Sequence, residues 1–302
     1  MCMKYRNKLI RNILTLVGIV LLSIYIFQIR ADFGIVLDIR YIYLLLLFFV
    51  TLAIFFLNGL FLKILMEPFG IKLKNTEAFG LSILTNFGNY FSFFFGGAAI
   101  KAVYFKKKYA FSYKRYLESL GLTYLLVFSI NSLIAILSMV ILFLKESVVS
   151  WIAFAVFFSI FVFSVSILVF PQIVKILPVS KIKNSFNSHS ALSKDTGIKL
   201  IQILLLNSIL GATAVMLKFG SIGTSLDFIQ GVYVNSVAGL ATFINLTPAS
   251  IGITESLTAY AALIFNIAPA QALIATLIDR VVTLIIIIPL GVYFGRLFMG
   301  KK

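Results

Sequence analysis

The chain is short of charge. Asp, Glu, Lys and Arg make up 12% of its 302 residues, about half the share of a soluble domain. Cysteine and histidine occur once each, as Cys2 and His189. One thiol excludes an intramolecular disulfide, and the pair together excludes a Cys/His zinc cluster. No P-loop, G-x-S-x-G turn or D-x-D run occurs, which argues against an ATP-driven pump and against a nucleotide-sugar enzyme. Acidic residues are the scarcest charge, ten against 26 Lys and Arg, leaving a net +16. In contrast, 61% of the chain is apolar and its mean hydropathy is +1.07. Such a chain cannot cover itself with polar surface, so the solvent it is built for is lipid.

A bilayer core of about 30 Å takes roughly 20 apolar residues per helix. Segments 10–29, 41–65, 116–144, 150–175, 198–218 and 267–298 meet this requirement, giving six expected spans. The first follows Lys4–Arg11 without a small-x-small cleavage site and reads as a retained helix rather than a leader. Cys2 beside it reads as an inert thiol, with S-acylation the alternative. Two further apolar stretches are broken by turn formers: 78–105 at Asn89 and Gly96-Gly97, and 228–266 at Asn245, Pro248 and Gly252. The arms 78–91 and 96–105 are only about 15–21 Å long at 1.5 Å per residue, so each broken stretch reads as a re-entrant hairpin.

The placement of charge tests this topology. With a cytoplasmic N-terminus, six spans and two hairpins, the cytoplasmic segments hold twenty cations against Glu67, Glu77, Glu118 and Asp195, which is the full +16. The outer loops, with Lys145 and Lys218 among their cations, cancel. So do four charges inside apolar sequence: Lys101, Glu255, Asp279 and Arg280. This is the positive-inside rule, with both termini cytoplasmic. A single crossing by 78–105 would place Lys106, Lys107 and Lys108 outside. The first hairpin therefore enters from the cytoplasm and the second from the opposite face.

The broken stretches share a pattern. Leu84, Phe87, Asn89, Gly96 and Tyr104 are matched 156 residues later by Leu240, Phe243, Asn245, Gly252 and Tyr260. The chain is read as one integral membrane domain of two inverted units, 41–144 and 198–298, joined by a cytoplasmic linker at 177–197. Inverted repeats with broken helices are a transporter architecture; two unrelated kinked regions are the alternative.

Charges in hydrocarbon are costly unless paired or hydrated, so each is a candidate site residue. Adjacent Asp279 and Arg280 point about 100° apart on a helix and need partners elsewhere. The economical assignment pairs Arg280 with Glu255 and Asp279 with Lys101. It would form a polar cavity in which an anionic headgroup displaces one partner; a structural bridge between hairpin and helix is the competing reading. The hairpin turns at Gly97 and at 251–254 are expected to offer free backbone N–H groups to an anion, with Ser250 or Thr254 as caps. Segment 105–116, FKKKYAFSYKRY, interleaves basic and aromatic residues; beside a hairpin it suits the membrane interface and not nucleic acid. His189 reads as solvated.

Three runs carry a family resemblance: NLTPASIGITES at 245–256, ALIATLIDRVVTLI at 272–285, and Gly291. Together they resemble the C-terminal signature of the lysylphosphatidylglycerol synthase transmembrane region, the flippase-like domain of multiple peptide resistance factors. Pro248, Gly252, Glu255 and Arg280 match its Pro, Gly-rich turn, Glu and later Arg. Asn89, Gly96, Gly97 and Lys101 fall in the segment similar to its first hairpin, where Lys101 stands in place of Arg, no Pro occurs, and Thr123-Tyr124 replaces an acidic–Arg pair. The aminoacyl-transferase domain of the long homologues has no counterpart in these residues, so the resemblance implies translocation and not lipid aminoacylation.

The expected fold is thus an all-α polytopic membrane protein with six spans and two opposed re-entrant hairpins, in a bacterial or archaeal cytoplasmic membrane. The expected function is non-enzymatic: moving a phosphate-containing lipid, either a phospholipid or a polyprenyl-phosphate-linked glycolipid, between leaflets, with no cofactor or metal. Its driving force would be the lipid gradient or a proton on Glu255 or Asp279. The alternatives are an accessory subunit of an envelope polysaccharide or lipid pathway, or a membrane-embedded transferase. Expected partners are an anionic membrane lipid and either a second copy of the chain or an envelope-biosynthesis protein. The expected site comprises Lys101, Glu255, Asp279, Arg280, Asn89, Gly96, Gly97, Asn245, Pro248 and Gly252.

Overall fold

The computed structural model describes residues 39–91, 96–145, 149–169, 193–241 and 247–299. The first expected span at 10–29, Cys2, His189, Asn245 and linker residues 177–192 lie outside the described residues. The described residues are helical, without a strand. In chain order the helices are α1 (Tyr41–Met66), α2 (Asn75–Phe91), α3 (Gly96–Tyr109), α4 (Tyr113–Leu144) and α5 (Trp151–Val169). There follow α6 (Lys194–Ser221), α7 (Phe228–Gly239), α8 (Ile253–Leu263) and α9 (Pro269–Met299), with short 3₁₀ turns at Glu67–Phe69 and Pro248–Ser250. Five helices, α1, α4, α5, α6 and α9, are long and apolar enough to cross a membrane. They correspond to the expected spans from 41–65 onward.

The packing inverts the rule for soluble proteins. Along α4, Ser119, Ser129, Ser132 and Ser138 are buried, whereas Leu133, Leu137, Val140 and Phe143 are exposed. The hydroxyls of Ser119, Ser129 and Ser138 each donate to a carbonyl three or four residues earlier, so they enter the interior already satisfied. Small residues let helices approach, and large apolar ones meet lipid. Helix starts are marked locally: Ser112 accepts from Arg115 N–H, Ser193 from Thr196 N–H, and Asp227 exchanges bonds with Gln230.

Both broken stretches fold back on themselves. In the first, the Asn89 carboxamide oxygen accepts from Gly97 N–H at 2.9 Å near the tip. At the other end, Glu77 accepts from the Tyr104 and Tyr109 hydroxyls at 2.6 and 2.7 Å. Contacts at both ends make α2–α3 an antiparallel hairpin. In the second, the Ser250 hydroxyl donates to Ala241 O at 3.0 Å, and the rings of Tyr233 and Phe265 meet edge to face.

The two hairpins open toward opposite ends of α4. The base of the first shares a core with Leu62, Met66 and Tyr116. The second packs with Met139 and Leu142, and the Lys145–Asp227 pair lies beside the start of α7 at 3.6 Å. Tyr116 and Met139 are separated by about 35 Å of helix at 1.5 Å per residue. The order span, hairpin, long helix thus occurs twice: α1, α2–α3, α4 and α6, α7–α8, α9. Gly96 and Gly252 stand at equivalent places, where each return helix begins.

Candidate functional site

Helix α9 is the element on which both hairpins converge. Its Gly291 leaves room for Phe87 of α2; a Cβ there would come within 2.5 Å of that ring. One end of α9 reaches the base of the first hairpin through the Phe298–Tyr104 ring contact. Arg280 lies in the interior of the helix, facing the turn between α7 and α8.

That turn is built on unusual backbone. Pro248 opens a 3₁₀ turn in which Ala249 and Ser250 have φ of 51° and 53°, and Gly252 has φ of 87°. A left-handed conformation is natural for glycine and costs of order 1–3 kcal/mol elsewhere, so surrounding contacts must hold it. Arg280 supplies one of them. Its Nη1 donates to Ala249 O at 3.1 Å, and its Nε donates to Glu255 Oε1 at 2.5 Å. Glu255 Oε2 in turn accepts from Gly252 N–H at 2.7 Å, capping α8. The carboxylate, 5% exposed, therefore joins helix start and guanidinium. Arg280 Nη2 is buried with no partner.

Two further groups complete this cluster. Tyr90, from the last turn of α2, brings its hydroxyl beside Thr283 and Arg280. Lys218 of α6, 5% exposed, lies within electrostatic reach of Asp279, Arg280 and Glu255. The expected Glu255–Arg280 pairing is thus present, but the expected Asp279–Lys101 pairing is not. Asp279 forms no ion pair among the described residues, and both Lys218 and Arg280 lie within its electrostatic reach. The charge pattern places Lys218 in an outer loop, whereas in the structure it is a buried residue of a membrane-length helix. It stands only three residues before the end of α6, so its place in the sequence could not separate a helix end from an interior. Two cations and two acids keep the cluster neutral.

Lys101 lies elsewhere. It lines a cavity of about 240 Å³ with Asn58, Ser82, Asn86, Thr123 and Asn207, and no acid lines that cavity. The turn glycines also behave differently from expectation. The N–H groups of Gly97 and Gly252 are already taken, by Asn89 and Glu255. Gly97 is required for close approach, since a Cβ would sit 2.2 Å from Thr85 O. Neither Ser250 nor Thr254 caps α8; their hydroxyls donate to Ala241 O and Ser250 O. Buried backbone donors are nearly always paired, and here the partners are the protein's own side chains.

Segment 105–116 likewise turns inward in part. Phe105, Phe111 and Tyr116 are core residues, and Lys108 pairs with Glu77 at 2.9 Å. Lys106 and Lys107 remain exposed. Glu77 sits at the base of the hairpin, outside the membrane-length helices. Burial pushes its carboxyl up, but hydrogen bonds from Tyr104, Lys108 and Tyr109 outweigh this and hold it below the ordinary carboxylate value.

The helical membrane fold agrees with the comparison against known families. The family described as "Lysylphosphatidylglycerol synthase TM region" matches residues 9–291. Neither a curated protein nor a solved structure matches the chain. The matched range includes both hairpins, the Glu255–Arg280 pair and Gly291. The chain is therefore a multi-pass membrane protein with a role connected to membrane lipids, and it belongs to the lysylphosphatidylglycerol synthase transmembrane region family.

Proposed function

We propose that this protein moves a phosphate-containing lipid between the leaflets of the membrane, with α2–α3 and α7–α8 as re-entrant hairpins of two inverted units. The observation that carries this reading is the neutral cluster of Lys218, Glu255, Asp279 and Arg280, the first two buried and the last two partly buried, where the second hairpin's turn and the last turn of α2 meet α9. Charges inside a membrane protein cost several kcal/mol and mark pathways or pairs. Here the pairing is incomplete: Arg280 Nη2 makes no hydrogen bond, and the oxygen beside the guanidinium is the uncharged Tyr90 hydroxyl. A phosphate oxygen is a chemically matched acceptor for that donor, in the forked geometry guanidinium favours.

A lipid also needs a place for its tails. Between α1 and α9 runs an apolar groove of about 620 Å³, lined by Leu45, Phe48, Leu277, Val281 and Ile285 among others. The groove lies along the helix that carries Arg280. A headgroup could therefore exchange partners at Arg280 while its chains stay in hydrocarbon. Motion of the hairpins about α9 would expose the cluster to alternate faces. The proposed setting is a bacterial or archaeal cytoplasmic membrane with both termini inside, and the proposed action is non-enzymatic.

The competing reading, in which the pair only locks hairpin to helix, is favoured by the bond between Glu255 and Gly252. Reconstitution decides. Purified protein in liposomes should accelerate transbilayer movement of a labelled phosphatidylglycerol over empty vesicles, and Arg280→Ala should abolish the gain. A wild-type rate equal to that of empty vesicles across several phospholipids removes the flippase reading.

A further inference from the structure

Helix α4 packs on α5 and α7 and stands away from α1 and α6 through much of its length, leaving a cleft. Two cavities lie in it. The Lys101 cavity of about 240 Å³ shares the lining residues Val127, Leu204 and Asn207 with an adjacent second cavity of about 190 Å³. Either exceeds by several times the ~30 Å³ that one water occupies in liquid.

The lining is polar in a specific way. Asn58 and Asn86 face the first cavity, Asn131 and Asn235 the second, and Asn207 both. Their spacing puts them on single faces: Thr123, Val127 and Asn131 recur every four residues on α4, and Leu204, Asn207 and Gly211 recur on α6. Gly211 makes room for an amide, since a Cβ would come within 2.7 Å of Asn235 Oδ1. No carboxylate lines the cleft, and Lys101 is its one cation among the lining residues.

Several of these groups lack partners. Ser82 is 5% exposed, and its hydroxyl, which faces the first cavity, is unbonded. Asn207 Oδ1 and Ser208 Oγ are also buried without a bond, although Asn207 Nδ2 donates to Asn58 Oδ1 at 3.2 Å. Buried polar atoms left open are rare and call for a partner. Neutral amides and hydroxyls offer both donors and acceptors, which suits hydroxyl groups rather than a second charge.

We propose that the cleft is a recognition subsite for a headgroup that joins a phosphate to an uncharged polyhydroxylated ring: Lys101 holds the phosphate, and the asparagine row holds the ring hydroxyls. This deepens the lipid-transport reading by giving the substrate class as a sugar- or polyol-phosphate lipid. It rests on that reading only for the lipid tails. The cleft is separate from the Arg280 cluster, and headgroup recognition here precedes exchange there.

The test uses the full chain purified in detergent, titrated calorimetrically with myo-inositol 1-phosphate, inorganic phosphate and myo-inositol. Inositol phosphate should bind about tenfold more tightly than phosphate, the equivalent of one or two buried hydrogen bonds. Asn207→Leu should bring inositol phosphate down to the affinity of phosphate, and Lys101→Met should abolish binding of both. Gly211→Val, which fills the cleft from α6, serves as a second variant should Asn207→Leu fail to fold. Equal affinity for inositol phosphate and phosphate in a folded wild type, or no change on either cleft substitution, overturns the subsite. A liposome arm separates lipid from free headgroup, comparing labelled phosphatidylinositol with phosphatidylglycerol. Faster movement of phosphatidylinositol, lost in Asn207→Leu, supports the proposal, and equal rates for the two lipids overturn it. If neither lipid moves while inositol phosphate still binds, the transport reading fails and the recognition site stands.

Discussion

The two hairpins are held by charge at opposite ends. In α2–α3 the charged contacts are at the base, where Glu77 gathers Tyr104, Lys108 and Tyr109, and the tip closes with the neutral Asn89–Gly97 bond. In α7–α8 the base has the Tyr233–Phe265 ring contact and only an exposed ion pair, Lys145–Asp227, whereas the buried charge contact sits at the tip, between Glu255 and Arg280. The difference is instructive because the two share element order. The carboxylate at the first base is bound within its own hairpin, by Tyr104, Lys108 and Tyr109, and can anchor that base permanently. The carboxylate at the second tip is tied to α9 of its own unit, so any motion of that hairpin against α9 must break or carry the bond.

The sharpest way to break this contrast is to remove Arg280. Arg280→Ala leaves Glu255 buried without its cation, and loss of one partner of a buried pair costs about 3–5 kcal/mol. A large drop in melting temperature is expected; a shift no greater than that of an exposed substitution contradicts the packing described. The charge-swapped pair, Glu255→Arg with Arg280→Glu, should recover less than half of the loss, because an arginine cannot accept from Gly252 N–H. Full recovery would show that the cap at Gly252 is dispensable.

Changes in the first hairpin should cost less. Gly97→Ala forces a methyl against Thr85 O and should destabilise by about 1–3 kcal/mol, as overpacking does. Glu77→Gln weakens charge-assisted bonds to two tyrosines and Lys108 and should cost a similar amount. Its pH behaviour is diagnostic. The folded carboxyl is held below its ordinary value of 4.5, so its stabilisation is complete above that pH and is lost as pH falls through the lower folded value. Melting temperatures measured from pH 7 to pH 3 should therefore fall more steeply for wild type than for Glu77→Gln. Parallel curves would rule out Glu77 as the anchor. The smallest effect is at the surface: Lys145→Ala breaks an exposed pair and should change stability by under about 1 kcal/mol.

Much of this arrangement is legible in the sequence, for reasons that also set the limit. Span positions follow from apolar length alone, and the hairpin arms follow from turn formers at Asn89, Gly96-Gly97 and Pro248–Gly252. The Glu255–Arg280 pair can be inferred because isolated charges in hydrocarbon must find partners. Which partners they find is a three-dimensional fact. Lys101 and Lys218 are both single cations in apolar sequence, and only packing shows that Lys218 lies within reach of the Asp279, Arg280 and Glu255 charges while Lys101 faces asparagines. Tyr90 and Asn207 carry no charge, so nothing in their sequence context distinguishes them from other polar residues of a membrane helix. The inward turn of Tyr104 and Tyr109 was hidden for a related reason: aromatic and basic residues suit the membrane interface equally well whether or not they meet an acid.

The central claim is that Arg280 offers a donor to substrate and does more than lock the second hairpin. Arg280→Lys tests it most directly, since a lysine keeps the charge opposite Glu255 but lacks the second prong that Nη2 provides. The measurement is the transbilayer rate of labelled phosphatidylglycerol in liposomes carrying this variant, with its melting temperature taken on the same preparation. The account predicts a stability close to wild type and a rate reduced at least about tenfold, the equivalent of one charge-assisted hydrogen bond. A wild-type rate in the lysine variant would contradict it and leave the pair as a structural lock.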